Sequence, residues 1–446
     1  MSGSRRVRAA LVVICALLAA GCGAARTPER EPVGSTGPAL LSLWVYGPPQ
    51  VTTAYAQIAA TFSAIHPGVA INVRSFSSSA AAREAFEGLR SDARRPDVFL
   101  ASSGDLPSLV LEKSIRQVDD LLGDREVDFG DGFQRSALEA FSAEDRLQCM
   151  PVDISPLVVY YNTDLVRLSA LTEPGQTPVD AATGWNLAQF EAAARAASRS
   201  GTRGVYVAPT LEQVAPFLLS GGGSLVDDVE SPTTLRFSSG STESALEKLL
   251  EVVRDPSVTF GESEITEKSA LERFEAGTLG MILGFRSLTP QLRATPGLHF
   301  DVMPLPRVGD QETVGRSSAL CLRATSPYLD LAADFAAYAV SDEASTLLAE
   351  TGFVVPTNLD VAHSSAFLQI GRDPQSAEVF STNARYIRPM PTVPTWPRVE
   401  AMATPLLTGL FYDPVIEPLG FRLQALDNGS TQILAPTPTP TADPGS

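Results

Sequence analysis

The chain has 446 residues, of which 44% are apolar, and a formal net charge of −17. The apolar fraction is normal for a globular protein, and a length above about 300 residues indicates more than one domain. The negative charge argues against nucleic acid as a partner and against broad docking on anionic lipid.

The chain begins with a short apolar segment behind a basic start. Three arginines precede an apolar run from Ala9 to Ala20, and small residues follow. This pattern is typical of a secretory signal peptide, because a run of about 12 to 14 residues is shorter than the roughly 20 that span a bilayer as a helix. We therefore predict a signal peptide over 1–21. Residues 22–37, which are polar and rich in Pro and Gly, predict a flexible leash.

Cys22 follows directly on Ala19, Ala20 and Gly21. A cysteine after these small residues resembles a bacterial lipobox. The resemblance implies cleavage before Cys22 and lipidation of its thiol and amine, which would hold the mature chain on the outer face of the cytoplasmic membrane. The alternative is an ordinary signal peptide with an incidental cysteine.

Strand and helix patterns alternate after the leash. The β-α-β-α-β order at the start predicts a mainly parallel sheet covered by helices. The predicted strands are 40–46, 69–76, 97–100, 157–161, 204–207, 279–283 and 317–323, and the predicted helices are 51–66, 80–90, 187–200, 211–219, 331–340 and 343–350. Residues 435–446, APTPTPTADPGS, predict a disordered tail.

The familiar catalytic and cofactor motifs are absent from the sequence. It contains no phosphate-binding loop, no H-E-x-x-H, no C-x-x-C and no G-x-S-x-G, and its three histidines lie in separate segments. We therefore expect no cofactor and no metal. A glycosidase can still be built from carboxylates that are distant in sequence, so an enzyme stays open as an alternative.

Short motifs occur in a fixed order along most of the mature chain. They are the opening strand and helix that end at His66-Pro67-Gly68, Arg95–Phe99 (RPDVF), Cys149–Asn162 (CMPVDISPLVVYYN), Phe274–Met281 (FEAGTLGM), Asp301–Pro306 (DVMPLP) and Gly315–Ala319. In this order they resemble the family 1 extracellular solute-binding proteins, the maltose-binding-protein-like receptors of bacterial ABC importers.

The resemblance implies an α/β fold of the periplasmic-binding-protein-like type II. In that fold two discontinuous lobes are joined by a hinge, and the ligand lies in the cleft between them. We assign residues 38–151 and 319–365 to lobe one, and residues 154–316 and 370–430 to lobe two.

Cys149 and Cys321 are the cysteines that remain after the signal peptide and Cys22. Their spacing alone leaves a disulfide and two buried free thiols equally open. In the family fold the two segments that cross between the lobes are neighbours. The resemblance therefore favours a disulfide.

The resemblance also places candidate ligand-binding residues at the cleft. They are Trp44, Ser102, Ser103, Asp153, Ser155, Glu212, Arg286 and Trp396. Polar side chains of this kind bind sugar hydroxyls, and flat aromatic rings bind the CH faces. For five of them we keep structural alternatives: core packing for Trp44, a hinge hydrogen bond for Asp153, a solvated helix start for Glu212, an ion pair rather than an anionic ligand group for Arg286, and a packed loop for Trp396.

The expected function is that of a lipid-anchored, monomeric receptor without catalytic activity. It would bind a small solute, by resemblance a carbohydrate, and present it to an ABC permease by closing its lobes. Two alternatives stay open: an extracytoplasmic carboxylate-based glycoside hydrolase, and a two-lobe sensory or adhesion lipoprotein.

Overall fold

The computed structural model describes residues 39–89, 94–172 and 178–435, which belong to one compact unit beginning at Ala39. The predicted signal peptide, the leash with Cys22, and the predicted tail after residue 435 lie outside the described residues. Within those described ranges, no helix has both the length and the apolar character needed to cross a bilayer.

Thirteen strands form in the described part of the chain. They are β1 Ala39–Tyr46, β2 Val69–Phe76, β3 Val98–Ser102, β4 Ile115–Arg116, β5 Ser142–Ala143, β6 Arg146–Leu147, β7 Met150–Pro156, β8 Val158–Asn162, β9 Arg203–Tyr206, β10 Leu279–Gly284, β11 Phe300–Met303, β12 Thr313–Arg323 and β13 Ile387–Arg388. Each predicted strand is confirmed, β2 with the predicted bounds and the others with boundaries displaced by up to four residues.

Eighteen α-helices accompany these strands in the same described ranges. They are α1 Pro49–Ile65, α2 Ser79–Glu87, α3 Leu106–Leu111, α4 Asp119–Gly123, α5 Arg135–Ala140, α6 Leu187–Ala197, α7 Leu211–Ser220, α8 Gly240–Val253, α9 Glu262–Glu267, α10 Ala270–Glu275, α11 Thr289–Arg293, α12 Leu329–Ala339, α13 Asp342–Glu350, α14 Leu359–Ala362, α15 Ser365–Leu368, α16 Glu378–Asn383, α17 Trp396–Tyr412 and α18 Leu419–Leu434. The six predicted helices are α1, α2, α6, α7, α12 and α13.

The first sheet has the strand order β13-β12-β3-β1-β2, and β4 and β7 also pair with β12. The opening strands β2, β1 and β3 are parallel, as the β-α-β-α-β pattern predicts, whereas β12 runs antiparallel to β3. Apolar residues of β1 such as Leu43 and Val45 share one core with Phe62 of α1 and Phe335 of α12. This sheet and its helices form the first lobe.

The second sheet has the strand order β11-β8-β10-β9. Side chains of β8 alternate between two cores: Val159 and Tyr161 pack with α6, α7, α8, α17 and α18, while Val158 and Tyr160 pack on the opposite face. Because both faces are covered, β8 is apolar along most of its length, as is usual for a sheet layered between helices.

Two strands connect the sheets. Met150 of β7 lies in the first-lobe core, and Leu157, directly after β7, lies in the second. The same change occurs along β12, from Val314 in the second core to Leu320 in the first. The antiparallel pair of β7 and β12 therefore forms the crossing between two lobes, and the predicted two-lobe α/β fold is confirmed.

Cys149 and Cys321 form a disulfide at the first-lobe end of this crossing, with a Cα–Cα distance of 4.4 Å. Both residues are completely buried. The bond joins the two connecting strands inside one lobe.

The segment after α13 contacts both lobes. Val355 and Phe367 pack in the core beside the second sheet. Asn358, in contrast, donates a hydrogen bond to the Val340 carbonyl and pairs with Phe133. The predicted lobe boundary near residue 365 therefore falls in a segment that both lobes share, and the exact bounds stay a prediction.

Candidate ligand-binding cleft

A cleft of about 380 Å³ separates the two lobes. Its first wall comes from α2, α3 and the turn before α3. Its second wall is the segment 391–397, which leads into α17. The side chains that face each other across it include Arg83, Phe86 and Asp105 on one wall and Val393 and Trp396 on the other.

The first wall presents an arginine and a carboxylate. The Arg83 Nη1 atom lies 3.1 Å from the Asp105 Oδ1 atom. Asp105 is fixed from behind, because the backbone N–H and the hydroxyl of Ser102 donate to its Oδ2 at 3.0 and 2.6 Å. Ser102 ends β3 and thus positions Asp105, while Ser103 begins the short 3₁₀ turn between them.

Trp44 lies behind this wall in a second, smaller cavity of about 40 Å³. The Arg74 guanidinium carbon lies 4.6 Å from the centroid of the Trp44 ring, and the centroids of the Trp44 and Phe76 rings are 5.0 Å apart. Trp44 is 8% exposed and also belongs to the first-lobe core. It therefore combines the core role with a position beside the cleft.

The second wall presents Trp396. It is the first residue of α17, it is followed by Pro397, and its ring packs in the second-lobe core. Its indole lies near the carboxylate of Glu400, one turn further along the helix. Burial and then the charge of Glu212 raise the pKa of Glu400, while the Trp396 hydrogen bond opposes the shift.

Glu212 is part of a charged cluster next to this wall. Its carboxylate forms a two-pronged ion pair with Arg316 of β12, at 2.8 and 2.7 Å. The Arg316 guanidinium also lies 4.4 Å from the centre of the Phe285 ring. Such a planar pairing fixes both side chains in place. Glu212, predicted as a ligand-binding residue with a solvated helix start as the alternative, is thus held by an ion pair beside the cleft, and its ligand-binding role stays a prediction.

A family model described as "Bacterial extracellular solute-binding protein" matches residues 57–376. The chain belongs to this family. The predicted family resemblance is therefore confirmed. No curated protein matches the sequence.

Solved solute-binding proteins share the fold. The sugar-binding protein MalE from Xanthomonas citri has a TM-score of 0.75 at 17% identity, covering 89% of this chain and 98% of that one. The ABC substrate-binding protein Lmo0181 from Listeria monocytogenes, in complex with cycloalternan, has a TM-score of 0.71 at 16% identity, with coverage of 89% and 98%. The GacH receptor of Streptomyces glaucescens GLA.O has a TM-score of 0.69 at 17% identity, with the same coverage. At identities this low, the structural similarity establishes only the fold and not the ligand.

Asp153 lies at the hinge of this solute-binding protein. The Val355 N–H donates to its Oδ1 atom at 2.7 Å, and the residue pairs with Pro356. Burial raises the pKa of Asp153 to about 7, and the Val355 hydrogen bond opposes the shift. Its observed contacts are those of the hinge alternative.

Ser155 and Arg286 contact each other away from the cleft, which corrects our placement of both. The Arg286 backbone N–H donates to the Ser155 hydroxyl at 2.9 Å. The Arg286 side chain is 0% exposed and donates to the Phe367 carbonyl at 3.3 Å, with the Phe367 and Phe380 rings beside it. It forms no ion pair with any described carboxylate. Full burial in an aromatic core therefore keeps this guanidinium from the cleft.

Of our eight sequence-based candidates, Trp396 alone lines this cleft, and the cleft residues that the set missed include Arg83, Phe86 and Asp105. One signal was available for Asp105, because Ser102-Ser103-Gly104-Asp105 has the spacing of a capping box, which turns both side chains toward each other. Nothing in the sequence pairs Arg83 with a partner 22 residues later.

The cleft chemistry suits a neutral, polar solute. Arg83 donates and Asp105 accepts, while the small exposed parts of the Phe86 and Trp396 rings, 7% and 6%, lie on opposite walls. In the described residues, no group of three or more His, Cys, Asp or Glu side chains is arranged to hold a metal ion.

Proposed function

We propose that this solute-binding protein is the sugar receptor of an ABC importer. It would hold a carbohydrate between its lobes, close around it and present it to the membrane permease, as a monomer and without chemical change to the sugar. The structurally similar sugar-binding protein MalE and the GacH receptor, which is known in complex with acarbose, support this choice of ligand class.

One observation carries the proposal: the cleft between the lobes places an arginine–carboxylate pair opposite an aromatic ring. Sugar hydroxyls accept from guanidinium and donate to carboxylate, often in pairs. The CH faces of a pyranose pack on aromatic rings, and Trp396 brings an indole ring to the wall of the cleft. Closure removes water from the cleft and strengthens these polar contacts.

A thermal-shift screen over mono- and oligosaccharides, polyols and peptides tests the ligand class. A sugar present at 100 times its dissociation constant stabilises the folded protein by about 2.7 kcal/mol. The proposal would be overturned if a peptide stabilised the protein saturably, or if none of the sugars did.

Arg83→Gln tests the site. It should weaken the affinity for the identified sugar by about 10- to 100-fold, because a hydrogen bond from a charged group is lost. Arg135→Gln is a matched control, since both arginines are exposed helix residues with a glutamate four positions later, and Arg135 lies outside the cleft. Equal affinities in both variants would exclude Arg83 from the site.

Anchoring through Cys22 is a further part of the proposal. Cys22→Ala should abolish incorporation of a labelled fatty acid and release the protein from the membrane fraction. Cys15→Ala, in the apolar part of the same segment, is the control and should leave both unchanged. Labelling of the Cys22→Ala protein would contradict the assignment.

Delivery to a permease and the absence of catalysis are tested in cells. Deleting the gene should abolish uptake of the radiolabelled sugar that the purified protein binds. Incubation of the protein with that sugar should return it unchanged. Release of a hydrolysed product would favour the glycoside hydrolase alternative instead.

A further inference from the structure

The small cavity beside Trp44 is lined almost entirely by carbon. Its walls include Trp44, Ala82, Phe86, Phe99, Ala101 and Leu109. These six side chains are between 4% and 8% exposed, so each keeps a little accessible surface.

The cavity adjoins the sugar cleft. Arg83, Phe86, Asp105 and Leu109 line both spaces. The ion pair of Arg83 and Asp105 therefore lies at the border between them. A ligand that binds this pair has the apolar cavity directly within reach.

The cavity is a poor site for water. A buried water needs about two to four polar partners, and apolar cavities stay dry and take apolar groups instead. Apart from Ser79, Arg83 and Asp105, all the residues that line this cavity are apolar. An apolar cavity of about 150 Å³ holds benzene, so by proportion about 40 Å³ holds one or two carbon atoms.

We propose that the natural ligand is a sugar bearing a methyl group, which fills this cavity while the ring hydroxyls bind Arg83 and Asp105. A 6-deoxy, O-methyl or N-acetyl sugar supplies the same methyl chemistry. The inference rests on the proposed sugar-binding function and specifies its substrate class. A methyl group in a fitted apolar pocket discriminates by about tenfold or more in affinity.

Calorimetric titration of the full-chain protein in detergent tests the inference with matched pairs of sugars. The pairs are L-fucose with L-galactose, L-rhamnose with L-mannose, methyl α-D-glucopyranoside with D-glucose, and N-acetyl-D-glucosamine with D-glucosamine. At least one methyl-bearing member should bind about tenfold more tightly than its partner, and the pair that shows it identifies the type of substituent.

Ala82→Leu provides the decisive variant, because the larger side chain occupies the cavity. It should remove the preference for the methyl-bearing sugar and leave the affinity for the partner sugar within about threefold. Ala80→Leu is the control, since Ala80 is exposed on the same helix and lines neither space. Leu109→Ala enlarges the cavity and should shift the preference from the methyl glycoside to the ethyl glycoside, which keeps the test available if Ala82→Leu does not fold.

The outcomes separate the two proposals. Sugars that bind without any methyl preference in the wild type overturn this inference and leave the sugar-receptor function intact. A preference that persists in Ala82→Leu also overturns it. If no sugar of either kind binds, the proposed function fails and the inference fails with it.

Discussion

Asp153 carries a proton in the folded protein at pH values where a free aspartate has lost it. Its pKa is raised to about 7 by burial, whereas an unfolded aspartate titrates near 4. The charge of Asp153 in turn raises the pKa of Tyr46 and Tyr55, although burial is the main cause for both tyrosines. The hinge is thus built around one carboxyl group whose ionised form is unfavourable.

This shift predicts a pH-dependent stability. Between about pH 4 and pH 7 the folded state holds a proton that the unfolded state has released, so this group lowers the free energy of unfolding as pH rises through that window. Asp153→Asn removes the titration and should flatten the slope. Urea denaturation of both proteins at four pH values measures it, and a stability difference independent of pH would contradict the assigned pKa.

Arg286 offers the opposite case, a buried cation without a carboxylate. Burial lowers its pKa to about 10, and its Nε and Nη1 atoms have no hydrogen-bond partner. A buried charge replaced by an apolar residue of similar volume is often neutral or stabilising, by about 1–4 kcal/mol.

Arg286→Met should therefore keep or increase the free energy of unfolding and leave sugar affinity unchanged. Urea denaturation and calorimetric titration measure the two quantities. A loss of affinity without a loss of stability would return Arg286 to the binding site.

At the scale of elements, the Cys149–Cys321 bond couples β7 to β12. It closes a sequence separation of 172 residues, and loop closure of that length contributes up to about 5 kcal/mol in the chain-entropy model. The double variant Cys149→Ala, Cys321→Ala should lose stability toward that limit in chemical denaturation. Thiol titration of denatured wild-type protein should find no thiol at these positions without reductant. A titratable thiol pair there would show that the bond does not form.

Elements with a clean apolar period were predictable from the sequence, and β2 matches its predicted bounds of 69–76. The helices α17 and α18 were not predicted, because α17 contains Pro405 and α18 contains Asp427-Asn428-Gly429-Ser430, which are turn signals. In the fold these polar groups have distant partners: Asp427 accepts from the Phe237 N–H, and Ser430 from the Leu235 N–H. Such tertiary contacts override local helix propensity, and they cannot be predicted from the sequence of the helix itself.

The same limit applies to the site. Trp44 and Trp396 could be placed near the cleft because the ends of strands and the family order of segments fix them. Arg83 could not, because its role comes from a contact with Asp105 that only the packing of α2 beside α3 creates. Arg286 was misplaced because the direction of its side chain depends on Phe367 and Phe380, far along the chain.

At the scale of the whole molecule, two cores are joined by β7, β12 and the segment after α13, and the cleft lies between them. A ligand shifts the balance between open and closed forms only by as much as it binds the closed form more tightly. Since Arg83 and Trp396 lie on opposite walls, a sugar that contacts both favours the form in which the walls are close together.

We therefore expect the radius of gyration, measured by small-angle X-ray scattering, to decrease when the protein is saturated with the sugar found in the screen. A sugar from the same screen that gives no thermal shift is the control and should leave the scattering unchanged. In Arg83→Gln the sugar concentration needed for this decrease should rise by the same factor as the dissociation constant. The reason is that ligand binding supplies the free energy that shifts the protein toward the closed form. Saturation without any decrease would mean that the lobes hold a fixed distance, and that a permease must recognise something other than closure.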